Sequence, residues 1–409
     1  MREFPSMFAK LCRVLLPPMI VVCALGLYRL VNGTSNPVSP RITALSNTPA
    51  VISPQFNEPR LCTDEQLAQV LDRVKPPAKP ISTNNLVHAL RLWGPSADFG
   101  DSAVPSGREM RAYFLDDQVF RQLAGDRTPP LFYHTPDGIE VRSYDDGLQD
   151  RNTSSFHMDD LLATLAETGT PLDTPLHLRD ADATVADLLN TTMRRFYLDR
   201  LEYEWTAISY VRYLYPLHDW RNKYGEKITV EKLTQELLDH PPEAGPCDGL
   251  HRLEALVLLY RVDAQARAEA KPAILPERLR QRILSYMQES SRQLVAAQSS
   301  EGYWSRGWSR AQPPAGDKKQ PITLHDKLLV TGHHLEWLAL APEEVQPPRE
   351  NIVRAGQWLT KSLLEMDAKN LVDSYGPYSH AARALCLWRN VEPFAAWKQQ
   401  QIAAKATGG

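Results

Sequence analysis

Residues 294–304 read Leu-Val-Ala-Ala-Gln-Ser-Ser-Glu-Gly-Tyr-Trp, and the fold class turns on this stretch. Its apolar start ends a long helical pattern. Gly302 is free to take a positive φ in the turn that follows, and Trp304 then supplies a bulky cover for the top of a helical hairpin. Gln298, four residues before Gly302, can bond carbonyls left open in the last helical turn. Working outward, helices are expected near 157–169, 182–195, 200–216, 229–239, 248–263, 276–298, 322–341, 348–366 and 376–390. Gly169, Pro216, Pro241-Pro242, Pro272, Gly302, Pro342 and Pro347-Pro348 stop them. Helices of ten to twenty residues with short breaks argue for an all-α chain of antiparallel hairpins. Earlier, Leu67, Val70, Leu71 and Val74 share one helical face, as do Leu86, Ala89, Leu90 and Trp93. Residues 94–155 are the least helical. There Leu131-Phe132-Tyr133 and Ile139-Glu140-Val141-Arg142 flank Pro136-Asp137-Gly138 and read as a small β insertion. No Gly-x-Gly-x-x-Gly follows a strand and no phosphate loop is present, so a nucleotide-binding α/β unit is excluded.

The first 31 residues carry a different signal. Arg2, Lys10 and Arg13 precede fifteen uncharged residues, Val14 to Tyr28, within a span of Leu11 to Val31. This reads as an uncleaved signal-anchor, with a cleaved signal peptide as the alternative. The positive flank predicts a cytoplasmic N-terminus and an extracytoplasmic C-terminal domain, so the membrane is an expected partner. Residues 32–60, rich in Pro, Ser, Asn and Thr, read as a disordered linker. The expected organisation is therefore an anchor at 1–31, linker at 32–60, a helical and irregular segment at 61–155, the main helical domain at 156–395 and a disordered tail at 396–409. Against 46 Lys and Arg stand 49 Asp and Glu, so the global basic field of a non-specific nucleic-acid binder is missing. Five cysteines without a Cys-x-x-Cys pair exclude zinc ribbons and thioredoxin-like motifs.

The Leu294-x3-Gln298-x3-Gly302-x-Trp304 spacing resembles the QW-type repeat of the squalene cyclase and protein prenyltransferase superfamily, over roughly residues 156–392. The resemblance implies an α/α toroid in which the starts of the inner helices line one mouth of a central cavity. It is a likeness of fold, and Gln293 stands where the repeat has an aromatic residue. The Asp-x-Asp-Asp acid of the class II cyclases has no counterpart, since Asp180-Ala181-Asp182 breaks off at Ala183. Tyr378-Ser379-His380 looks like the Tyr-x-His zinc context of the prenyltransferases, whereas Cys247-Asp248 departs from their Asp-x-Cys order. Gly332-His333-x-x-Glu336 before Trp337 is similar to a histidine motif of N-acylglucosamine 2-epimerase-like toroids, where histidines exchange a proton at a sugar carbon.

The residues themselves support two kinds of chemistry. His333 and Glu336 lie three apart and share a helical face, a pairing suited to acid–base work near neutral pH. With His251 and His380 they form the candidate catalytic set. Cys247 and His251, at i and i+4 on one helical face, suit a soft metal such as zinc, and His380 would complete three ligands. Trp304, Trp308, Tyr378, His325 and Asp326 are candidate contacts for a small-molecule or glycan ligand. Glu202 to Tyr210 add carboxylates interleaved with aromatics. Two functions compete on these grounds. One is an anchored extracytoplasmic enzyme acting on a carbohydrate or isoprenoid-like substrate. The other is a non-catalytic binding or scaffold domain for an envelope component or protein partner.

Overall fold

The computed structural model describes residues 46–407 apart from 126, 144–156, 199, 201, 216–218, 243–244, 310–321, 368, 370 and 372–373. The anchor expected at Leu11–Val31 lies outside them. Among the described residues no helix is long and apolar enough to cross a membrane.

Helices dominate. In chain order they are α1 Asp64–Arg73, α2 Thr83–Trp93, α3 Gly107–Leu115, α4 Asp117–Ala124, α5 Asp160–Glu167, α6 Val185–Arg195, α7 Tyr203–Tyr213, α8 Val230–Asp239, α9 Leu250–Ala268, α10 Glu277–Ala297, α11 Leu324–Leu340, α12 Arg349–Glu365, α13 Gly376–Trp388 and α14 Pro393–Thr407. Among the described residues three two-stranded antiparallel ribbons interrupt them: β1 Phe132–Thr135 with β2 Gly138–Val141, β3 Pro175–His177 with β4 Asp182–Thr184, and β5 Asp219–Arg221 with β6 Lys227–Thr229. The first is the hairpin expected from the Pro-Asp-Gly turn, pairing Thr135 with Gly138. Thr-headed caps start many of the helices. Thr63, Thr184, Thr229 and Thr323 each accept from a backbone N–H of the first turn.

The packing order of six helices closes on itself. α2 packs on α5, α5 on α7, α7 on α9, α9 on α11, α11 on α13, and α13 back on α2. Among the described residues, from α5 onward a single α-helix separates successive members in sequence (α6, α8, α10 and α12), whereas α3, α4 and the first ribbon lie between α2 and α5. α9, α11 and α13 are buried on nearly every face, so their sequences carry almost no amphipathic stripe. The cycle corrects the expected domain boundary. α2, from the 61–155 segment, is one of its six members, so residues before 156 are structurally continuous with those after.

Two further segments differ from expectation. Residues 46–60, assigned by composition to the linker, run across one end of the cycle. Ala50 N–H donates to the Arg212 carbonyl, Gln55 to Ala339 and Glu58 to Trp388, at the C-terminal ends of α7, α11 and α13. Those carbonyls lack intrahelical partners, which explains why a segment with little periodicity is held there. Because one segment meets three C-terminal ends, α7, α11 and α13 run in the same direction. The expected tail at 396–409 is instead largely helix α14, seated by buried Trp397, whose indole donates to Asp72.

The Gln298 turn is built differently from the sequence reading. Gly302 takes φ 109° as expected. The carbonyl of Leu294 in the last turn of α10, however, accepts from the Trp304 indole at 2.8 Å. The Gln298 amide reaches across to the next hairpin. It donates to the carbonyls of Gly302 and Asn351 and accepts from the side chains of Asn351 and Arg354. Gln298 thus ties the end of α10 to the start of α12. Gln298→Ala is expected to lose about 1–2 kcal/mol in urea unfolding, at roughly 1 kcal/mol per net bond with partial exposure of the site. A change below about 0.3 kcal/mol would remove this tie from the account.

Candidate functional site

Inside the cycle the inner helices carry a buried polar lattice. Glu336, on α11, is its hub. Its Oε2 accepts from Nδ1 of His333 at 3.1 Å and Nδ1 of His380 at 2.9 Å, and its Oε1 accepts from Arg383 Nη1 at 2.8 Å. The rings of His333 and His380 lie 3.8 Å apart, and His251 stands 5.0 Å from His333. The four candidate catalytic residues, drawn from α9, α11 and α13, therefore meet in one place. None is more than 4% exposed.

Around this hub lie Glu204 and Trp205 of the carboxylate-and-aromatic stretch, together with Glu167, Arg91, Glu254, Arg252 and Arg383, which the sequence reading passed over. Arg383 continues to Glu167, which also accepts from Arg91 at 2.5 Å and pairs with Arg212 at 3.4 Å. Arg91 lies 3.5 Å from Glu254 and 4.8 Å over the Trp205 ring. The Trp205 ring is also 4.3 Å from His251, and His88 packs on His380. A second pair, Glu204 with Arg252, is equally buried. Charges set among apolar helix residues were the available signal: Arg252 and Glu254 in Arg-Leu-Glu-Ala-Leu-Val, Arg91 in Ala-Leu-Arg-Leu-Trp.

Electrostatics divides these groups. Burial raises the Glu336 carboxyl, but the charges of His380 and Arg383 and the histidine hydrogen bonds outweigh it and hold it well below the carboxylate range. Glu167 is likewise lowered, since Arg91, Arg383 and Arg212 overcome its burial. Glu254 goes the other way: burial and the Glu167 charge push it up to about 7 against the pull of Arg91 and Arg383. Burial lowers His251, His333 and His380, against the opposing pull of Glu336 on the last two. A neutral ring that gives its Nδ1–H to Glu336 leaves Nε2 as a bare lone pair.

Several polar atoms here have no hydrogen-bond partner: Arg91 Nη1, Trp205 Nε1, His251 Nδ1 and His333 Nε2, while Arg91 Nη2 and Glu254 Oε1 meet each other only as an ion pair at 3.5 Å. Buried polar groups are nearly always satisfied in folded proteins, so such a concentration calls for a cause.

The backbone at the start of α9 is also unusual. Cys247, Asp248 and Gly249 take φ of 50°, 56° and 74° in succession. Cys247 is therefore not on a helical face with His251, as the i, i+4 spacing suggested, because the helix begins only at Leu250. The left-handed turn nevertheless keeps Cys247 close to His251. The ligand atoms of Cys247, His251 and His333 all lie within 4.8 Å of one another. His380, expected as the third ligand, instead groups with His333 and Glu336. In that group both histidines already give Nδ1–H to Glu336. Burial, with the Glu202 charge, pushes the Cys247 thiol up to about 12.

The remaining candidates lie apart from the lattice hub. Trp304 is buried and bonds Leu294, and Trp308 packs 4.6 Å from His334 with its indole directed at the Asp248 carbonyl. His325 bonds Ser374 and Asp326 caps α11 through Thr323 while pairing with Arg306. Tyr378 is buried in the first turn of α13. A cavity of about 40 Å³ bounded by His157, Asp159, Thr191, Arg195 and Arg200 adjoins the site, His157 being 6.0 Å from His251. That volume holds a water or so, not a sugar ring.

Comparison of the chain with protein-family models, with curated proteins and with solved structures finds no match.

Proposed function

We propose that this chain is an α/α-toroid enzyme, held by its N-terminal segment on the outer side of a membrane, that moves protons on a carbohydrate-like substrate. The observation that carries the reading is the buried polar lattice, in which Arg91 Nη1 and Trp205 Nε1 have no hydrogen-bond partner and Glu254 Oε1 meets only Arg91, groups that a polyhydroxylated molecule would satisfy. The same polarity speaks against an isoprenoid chain. In the toroid arrangement the α2–α5–α7–α9–α11–α13 cycle is the inner barrel and the lattice lies within it. Glu254, whose carboxyl is pushed up to about 7, serves as the acid, and His380, oriented by Glu336, as the base. Two carboxyls whose surroundings push them in opposite directions are a recurring arrangement for that division of labour. The positively flanked apolar run Val14–Tyr28 supports the anchor.

The alternative is a non-catalytic binding or scaffold domain for an envelope component. Its support is the near-complete enclosure of Glu336, His333 and His380 and the pairing of both Glu336 oxygens. The purified protein would be incubated in D2O with a panel of sugars, uronic acids and oligosaccharides, and deuterium uptake and product release followed by mass spectrometry. Turnover that falls about 100-fold or more in Glu254→Gln, at unchanged melting temperature, is the expected result. No exchange or release across the panel, with binding retained, favours the alternative.

A further inference from the structure

We propose that Cys247, His251 and His333 bind a zinc ion. This inference stands apart from the acid–base reading, because its tests do not use activity. Three observations converge on it. One ligand atom of each residue lies within 4.8 Å of the other two. Tetrahedral zinc, with Zn–S near 2.3 Å and Zn–N near 2.0–2.1 Å, places ligand atoms about 3.4–3.6 Å apart. The side chains therefore need to draw in by no more than about 1.5 Å. Second, His251 Nδ1 and His333 Nε2 are buried and have no hydrogen-bond partner, in side chains 1% and 3% exposed. An ion between them would account for both. Third, the other nitrogen of His333 is held by the Glu336 carboxylate, the outer contact that fixes the tautomer of metal-ligating histidines.

The donor set selects the metal. One thiolate and two imidazoles suit zinc over magnesium, calcium or manganese, which favour oxygen ligands. Cys247 is only partly buried, so an ion has a way in. Binding displaces the thiol proton to solvent as the S–Zn bond forms. Three protein ligands leave the fourth position open for a water or a substrate oxygen, as in catalytic rather than structural zinc sites. The set differs from the one the Tyr-x-His resemblance implied, since His380 is turned to Glu336 and His333 takes the third place.

The full chain, purified in detergent without added metal and then equilibrated with zinc and dialysed, is assayed by elemental analysis. About one zinc per chain is expected in the wild type and in His380→Asn, with at least a tenfold loss in Cys247→Ser and His333→Gln. Because a variant can fail to fold, the wild type is also loaded with cobalt(II). A thiolate-to-cobalt charge-transfer band in the near ultraviolet is expected. Absence of that band, or full zinc in folded Cys247→Ser, overturns the site. Zinc lost from His380→Asn and kept in His333→Gln overturns this ligand set. Zinc bound without sugar turnover leaves the site standing and removes only the proposed reaction.

Discussion

Glu336→Ala should destabilise the protein by about 3–5 kcal/mol, the range for removing one partner of a buried ion pair. The reason is what remains behind. Arg383 loses its 2.8 Å acceptor while still enclosed, and His333 and His380 lose the one oxygen that takes both Nδ1–H groups. Glu167 still meets Arg383, but it already serves Arg91 and Arg212. At roughly 2 cal/mol/K of unfolding entropy per residue, the loss corresponds to a melting-temperature fall of about 4–7 °C for a domain of this size. Glu336→Gln keeps the shape and one acceptor and should fall between. The effect depends on pH in a defined direction. The folded-state pKa of Glu336 lies below its ordinary value of 4.5. Its contribution is therefore full above the unfolded-state value and is lost as pH falls through the folded one. The gap between wild type and Glu336→Ala should stay level above about pH 5 and shrink in acid. A loss under about 1 kcal/mol at pH 7 would mean that water reaches the hub.

This lattice marks the limit of what the sequence alone could reveal. The helices from 157 to 390 were legible because Pro and Gly interrupt the apolar pattern at each turn, and all nine expected helices are present within a few residues. His251, His333, Glu336 and His380 were legible as polar islands at or within apolar helices, although nothing in their spacing required them to meet. Their convergence follows from the order in which α9, α11 and α13 pack. Glu167 and Arg383 are 216 residues apart in sequence, and Arg91 and Glu167 are 76 apart. Pairs at such separations leave no local period, so each charge looked like a chance polar residue in a core helix. The left-handed turn at Cys247 was misread for a related reason. A spacing of four implies a shared face only if the helix has begun, and two non-glycine residues with positive φ give no warning in the sequence. The aromatic candidates failed in the opposite way. Trp304 and Trp308 suggested a ligand platform, and both instead direct their indole N–H groups at backbone carbonyls. Residues 32–60 and 396–409 read as unstructured because neither segment has a core-forming stripe, yet the structure orders 46–60 and 396–407. Each is held by the ends or sides of other helices instead.

Gly332→Ala tests the connection between the fold and the site most directly. In an isolated helix alanine is favoured over glycine by about 1 kcal/mol, so helix propensity alone predicts a stabilised protein. The structure predicts the reverse. A Cβ on Gly332 would stand 2.9 Å from the backbone nitrogen of Ala381, 3.0 Å from the carbonyl carbon of His380 and 3.2 Å from Cα of Ala381. All three are main-chain atoms of α13, which cannot rotate away, so α11 and α13 must separate. Overpacking of this kind costs about 1–3 kcal/mol, and at backbone contact the upper part of that range is expected, leaving a net loss near 2 kcal/mol. The same separation pulls His333 from His380, now 3.8 Å apart, and stretches the two bonds that converge on Glu336. The variant should therefore show a lowered melting temperature together with altered imidazole resonances for His333 and His380, while His177, on the exposed β3–β4 ribbon, stays unchanged. A gain in stability with an unchanged histidine spectrum would show that α11 and α13 do not approach at Gly332. The hub would then lose the close helix contact that brings residues from α11 and α13 onto one carboxylate.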